Sequence, residues 1–163
     1  MIPNTIVIHH SASSSSTTPE EIDRWHKMRG FSRSNLGYYI GYHRLIFKNG
    51  NVLKTRNDNE IGCHVIPNNG KLGVCLIGNF ENEKPTAAQL VSLAIVIDEW
   101  KIGFNILIDN IWGHDHFKAT ACPGKYLTDW INKYKKVGWL KIQIEKVRKL
   151  LAQIQNKREF YNG

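Results

Sequence analysis

Thr5-Ile6-Val7-Ile8-His9-His10 is the stretch on which the fold turns. Its β-branched residues favour extended backbone. From Thr5 to His9 it is apolar at nearly every position rather than at every second one, the pattern of a strand covered on both faces. It therefore predicts a central strand that delivers two histidines at its end.

Downstream, a Ser/Thr-rich loop over Ser11–Thr18 leads into Thr18-Pro19-Glu20-Glu21. Thr18 can cap, Pro19 suits the first helical position and Glu21 completes a capping box, so a helix is expected from Pro19 to Arg29. Tyr39–Phe47 reads as a strand turned at Lys48-Asn49-Gly50-Asn51 into a short partner over Val52–Thr55, since Asn-Gly supplies positive φ. Leu72–Ile77 is a second continuous apolar run, and Thr86–Trp100 carries Leu90, Leu93, Ile97 and Trp100 in helical register. Asn105–Trp112 alternates as a strand would, and Pro123-Gly124 opens a helix through Trp130 and Tyr134. Interleaved strands and helices define an α/β, mixed α+β, domain with a central mixed sheet flanked by helices. From Gly138, Leu140, Ile144, Val147, Leu151 and Ile154 recur at spacings of four and three, predicting a final amphipathic helix.

The 163 residues fit one compact domain, assigned to residues 1–136, with a helical extension over 137–163. The N-terminus lacks the pattern of a signal peptide and no run is long enough to span a membrane, so synthesis in the cytoplasm is expected. Three cysteines, Cys63, Cys75 and Cys122, suit reduced thiols better than a disulfide scaffold. The net charge of +8 implies attraction to a polyanion. Residues 136–163 hold seven Lys or Arg against two Glu, so the tail is basic. Nucleic acid is not the expected partner, because the charge sits mainly in that tail and no zinc-finger spacing is present.

Histidines occur in pairs at strand ends: His9-His10 after the first strand, and His114 with His116 after the strand ending at Trp112. Cys122 follows His114 by one loop and precedes Pro123. Two imidazoles and one thiolate leave tetrahedral zinc an open position, as in a catalytic site. Strand parity puts His9 and His10 on opposite faces, and likewise His114 and His116 if that segment stays extended, which leaves four combinations open.

Read together, Ile6-Val7-Ile8-His9-His10-Ser11-Ala12, Arg24-Trp25-His26-Lys27, Gly41-Tyr42-His43, Gly62-Cys63-His64, Gly73–Gly78 and His114 through Ala121-Cys122-Pro123 resemble the N-acetylmuramoyl-L-alanine amidase family, which includes phage lysozymes and peptidoglycan recognition proteins. The resemblance spans about residues 5–132. It implies one Zn2+ per chain on His9, His114 and Cys122, with His10 and His116 as neighbours that steady a ligand or the loop. It implies a catalytic hydroxyl at Tyr42. Where some relatives carry lysine and others threonine, this chain has Thr120, expected to hydrogen-bond the substrate or intermediate, with Lys118 nearby. His64 matches a position lining the cleft, expected either to contact substrate or to give the site polar support, and His43 is expected to contact substrate. Cys75, Trp25 and His26 are expected in the core.

The implied reaction is hydrolysis of the amide between N-acetylmuramic acid and L-alanine in bacterial peptidoglycan. An endolysin released through a holin-type pore to act on the cell wall is the first expectation. A cytoplasmic recycling amidase and a non-catalytic peptidoglycan-binding protein are the alternatives. A monomer is expected. For the tail, docking of the Leu140–Ile154 stripe onto the domain is the first expectation; dimerisation and contact with an anionic polymer or membrane are the others.

Overall fold

The computed structural model describes the backbone over residues 1–162 and side chains over residues 1–145 and 147–149. Its elements are β1 (Thr5–His10), α1 (Pro19–Met28), β2 (Arg44–Ile46), β3 (Val52–Lys54), β4 (Lys71–Leu76), α2 (Ala87–Phe104), β5 (Ile111–Gly113) and α3 (Lys125–Asn162). The sheet runs β3-β2-β4-β1-β5. β1 lies parallel to both β4 and β5, β2 is parallel to β4, and only β3 is antiparallel to its neighbour. TIVIHH is thus an interior strand, as its continuous apolar pattern predicts.

Strand parity sorts β1 into two cores. Ile6 and Ile8 join Leu72, Val74, Leu93, Ile97, Trp100, Leu127 and Ile131 beneath α2 and α3. The opposite face carries Leu45, Cys75 and Ile77 under Ile22 of α1, with Ile40 and Tyr42 from the loop. His9 pairs in register with Cys75 on that second face, while His10 lies against Phe80 on the first.

Both predicted helix starts hold. The Thr18 hydroxyl accepts from Glu21 N–H and Glu21 accepts from Thr18 N–H, and Thr86 and Gln89 repeat the arrangement on α2. α2 runs past Trp100 to Phe104 because Asn105, at φ 52°, supplies the left-handed residue that stops it.

Three expectations about elements are corrected. The strand expected over Tyr39–Phe47 is confined to Arg44–Ile46, because α1 side chains take the earlier amides: Tyr39 and Ile40 N–H donate to Asp23, and Gly41 N–H donates to His26 Nδ1. The strand expected over Asn105–Trp112 shrinks to Ile111–Gly113 behind a 3-10 turn at Ile108–Asn110. Its alternation reflects a loop that buries Ile106 and Ile108 and exposes Leu107. Lastly, the helix from Gly138 is the continuation of α3. Among the described residues its apolar stripe does not dock: Leu140 is 55 % exposed, Ile144 45 % and Val147 55 %. Gly138 is where α3 still presses on the domain, against Ile108. Leu151 and Ile154 lie outside the residues whose side chains are described. No helix among the described residues is long and apolar enough to cross a membrane.

Candidate metal centre and groove

The carboxyl ends of β1 and β5 and the loop before α3 meet on the α1 face of the sheet. His9 closes β1; His114 begins a 3-10 turn directly after β5; Cys122 lies just ahead of α3. One ligand atom from each lies within 4.8 Å of the others. His9 Nδ1 is 3.6 Å from Cys122 Sγ. Tetrahedral zinc, with Zn–N near 2.0–2.1 Å and Zn–S near 2.3 Å, sets such donors about 3.6 Å apart, so this edge fits the ion. Three donors leave a fourth position for water or substrate.

The other candidates fall elsewhere. His10 is on the far face, where its Nδ1 accepts from Phe80 N–H, though its carbonyl faces Cys122 Sγ at 3.9 Å. His116 stacks on Trp112 with ring centroids 3.7 Å apart, and Lys135 Nζ covers that indole at 3.8 Å. The His114–His116 turn, not strand parity, separates those two histidines. The Cys63 thiol faces Ser32 Oγ at 3.4 Å, outside the cluster of three.

Burial, reinforced by His64 and His114, holds the His9 imidazole well below its ordinary pKa. Burial lowers His114 too, helped by Lys118. Both are neutral at pH 7 and able to donate a lone pair. Burial pushes the Cys122 thiol up to about 12, so the metal-free pocket holds a thiol whose proton a metal must displace.

The cluster floors a groove lined by Tyr42, His26, Arg29, Phe31, Lys118 and Thr120, among others, with a cavity volume near 990 Å³. The Tyr42 ring lies 5.0 Å from that of His9 and 5.3 Å from that of His26. Burial first, then the thiols of Cys75 and Cys122, raises its phenol well above the ordinary value, so Tyr42 stays a protonated phenol whose hydroxyl lies beside the buried Cys75 thiol. Thr120 Oγ1 accepts from Cys122 N–H at 3.2 Å, leaving its own proton for a second partner. No carboxylate lines this groove among the described residues. Neutral His26 accepts Gly41 N–H on Nδ1 at 3.0 Å, so its proton sits on Nε2.

Of the two expected substrate contacts, His43 needs revision and His64 lies on the groove. His43 does not reach the groove: fully buried, it accepts from Gly73 N–H on Nδ1 at 3.0 Å and donates from Nε2 to the Glu60 carbonyl at 3.0 Å. His64 lines the groove wall, yet both its nitrogens are engaged, Nδ1 with His9 Nε2 at 3.0 Å and Nε2 with the Lys71 carbonyl at 3.2 Å. His26, expected as core packing, instead borders the groove and fixes the residue before Tyr42. Arg56 was not singled out at all. Its guanidinium is buried and clamps the Ile40, Ser32 and Ile61 carbonyls under the groove.

His43 makes stability acid-sensitive. Burial depresses its pKa to about 4 in the folded chain, against about 6.5 unfolded, so below pH 6.5 the unfolded state binds the extra proton. The stabilisation is complete above pH 6.5 and is lost progressively as pH falls to about 4, on the order of 3 kcal/mol for this group. Urea titrations between pH 7.5 and 4 are expected to show that loss, with a shallower slope in His43→Gln. Equal slopes would remove His43 as its source.

The profile of the N-acetylmuramoyl-L-alanine amidase family, Amidase_2, matches residues 1–125. The endolysin of Klebsiella phage KP32 is 29% identical over 136 residues, covering 78% of this chain and 85% of the endolysin. Peptidoglycan-recognition protein SC2 of Drosophila melanogaster is 31% identical over 122 residues, 72% of this chain and 66% of the relative. Among solved structures, the endolysin N-acetylmuramoyl-L-alanine amidase LysCS of Clostridium intestinale URNW superposes with a TM-score of 0.73 at 33% identity, covering 82% of this chain and 84% of that one.

Proposed function

Since the chain belongs to the N-acetylmuramoyl-L-alanine amidase family, we propose that it is a zinc-dependent amidase that cuts the bond between N-acetylmuramic acid and L-alanine in peptidoglycan. The observation that carries this reading is the convergence of His9, His114 and Cys122 at the floor of a groove, with a 3.6 Å donor edge suited to tetrahedral zinc. A non-catalytic recognition protein has no need of three converging donors beside a buried phenol.

His9, His114 and Cys122 would hold a zinc ion whose chemistry would be Lewis-acid polarisation of the scissile carbonyl and acidification of a water. The chain supplies donors. Tyr42, kept protonated by burial, donates to the oxygen that gains charge as the amide carbonyl becomes tetrahedral. Thr120 offers its hydroxyl proton while its lone pair fixes the Cys122 amide. His26 gives its Nδ1 to the backbone and His64 gives both nitrogens to protein partners, so neither offers a free ring lone pair for a base. Mass spectrometry of products from defined muropeptides tests the assignment: a released intact stem peptide with a free L-alanine amine supports it, whereas cleavage within the sugar chain or the peptide overturns it.

We assign catalysis to residues 1–136 and treat 137–163 as an extension. A phage-type lytic role is supported by similarity to two endolysins over most of their own length. A late appearance during infection is expected on this reading, and constitutive expression would favour a recycling amidase.

The projecting part of α3 fits an anionic lipid surface. Val137, Leu140, Ile144 and Val147 are exposed at spacings of three and four, flanked by exposed Lys136, Lys141 and Arg148. Self-pairing along that seam would set cations beside cations. An anionic sugar polymer would satisfy the charges and leave the apolar stripe in water, whereas a lipid interface accommodates both. Leu140→Gln with Val147→Gln is expected to lower sedimentation with phosphatidylglycerol vesicles several-fold and leave hydrolysis of purified peptidoglycan unchanged. Equal sedimentation of variant and parent would refute the lipid role.

A further inference from the structure

We propose that His64 is a positioning residue that fixes His9 in the one tautomer able to bind a metal, and that Gly62 and Gly73 are glycines because the His64 ring fills the space their side chains would take. The inference rests on reading the His9, His114 and Cys122 cluster as a metal centre.

The argument follows a single proton inventory. A backbone carbonyl can only accept, so the 3.2 Å contact between His64 Nε2 and the Lys71 oxygen places the His64 proton on Nε2. Buried and neutral, His64 then has a bare lone pair on Nδ1. That atom lies 3.0 Å from His9 Nε2, which must therefore be the N–H donor. With its proton held on Nε2, His9 has its lone pair on Nδ1, the atom 3.6 Å from Cys122 Sγ. Without His64 nothing selects that tautomer, and rotation of the ring would no longer break a buried hydrogen bond. A carbonyl, an imidazole and a second imidazole thus form one oriented series, in which the Lys71 carbonyl sets where the His9 lone pair points.

The surroundings hold His64 in this orientation. Its backbone N–H donates to Asn68 Oδ1 at 3.0 Å, and Val65 N–H donates to the same oxygen at 2.9 Å, closing the loop on itself. A Cβ on Gly73 would lie 2.7 Å from three atoms of the His64 ring, and one on Gly62 would lie 2.5 Å from its Cδ2. Both contacts are too close to exist, so either substitution displaces the ring.

The test uses two variants that disturb the series differently. His64→Gln removes the imidazole, and Gly73→Ala leaves the imidazole but crowds it. Zinc affinity by chelator competition is expected to fall about 10- to 100-fold in both, with thermal unfolding still cooperative. Long-range 15N–1H correlation spectra of the metal-free parent should show His9 protonated on Nε2 alone, and a mixture of tautomers in each variant. Unchanged zinc affinity in Gly73→Ala, or a parent His9 protonated on Nδ1, would overturn the proposal. Should the parent bind no zinc, the function proposed above fails, while the metal-free spectra still decide whether His64 sets the His9 tautomer.

Discussion

Cys122→Ser is expected to abolish stoichiometric zinc binding and to lower release of muropeptides by about 10³-fold or more, the equivalent of the several kcal/mol that a metal contributes to such a step. The reason lies in the state of the residue it replaces. Burial raises the Cys122 thiol to about 12, so binding a metal must displace its proton, and the strength of the Zn–S bond drives that displacement. A serine hydroxyl in the same buried place is a far weaker acid and a harder, shorter ligand, so the exchange fails. Cys122→Asp provides the control, because a carboxylate reaches zinc at about 2.0–2.2 Å. Partial recovery of both metal and turnover is expected. His114→Ala removes one of the three donors and should lose the metal. Zinc content by atomic absorption and product release from purified peptidoglycan are the measurements, and full activity in metal-free protein would end the zinc reading.

Cys122 also shows how far the primary structure reached. Ligand chemistry proposed two imidazoles and a thiolate with an open position, and the chain brings that set of three together. It left His9 against His10 open, because alternation says that two neighbours face apart without saying which face holds the cleft. The sheet decides this: β1 is interior, its His9 face is covered only by α1 and loops, and its His10 face is sealed by Phe80. The long apolar strand and the capped helices were legible because local chemistry specifies them. The Tyr39–His43 segment was misread as strand because its amides are satisfied by Asp23 and His26, and a sequence carries no mark for which side chain will claim a distant N–H. His43 and His64 were indistinguishable for a similar reason. Both follow a glycine-containing motif, yet one is spent wholly on the backbone and the other is shared between the Lys71 carbonyl and His9. The tail was read as helix correctly, but whether its stripe is covered depends on the direction in which α3 leaves the domain, which is set at the contact of Gly138 with Ile108.

Tyr42→Phe is expected to keep the zinc and lose turnover by about 10²- to 10³-fold, the usual consequence of removing one donor aimed at a developing oxyanion. The substitution isolates the hydroxyl. Phenylalanine preserves the ring packed 5.0 Å from His9 and 5.3 Å from His26, so the metal ligands and the groove wall keep their shape. The sign of the ionisation effect sharpens the test. Burial raises the Tyr42 phenol well above its ordinary value, so it stays a neutral donor throughout the working range and cannot act as a base. The pH–rate profile of the variant should therefore be lowered uniformly rather than lose its alkaline limb. A loss confined to high pH would point to a phenolate and contradict a donor role. If binding of intact muropeptide is unchanged while turnover falls, the hydroxyl acts in the transition state; if affinity falls and turnover does not, Tyr42 is only a wall of the groove. An unaltered rate would remove it from the mechanism and leave the metal without a partner from this chain on the Tyr42 side.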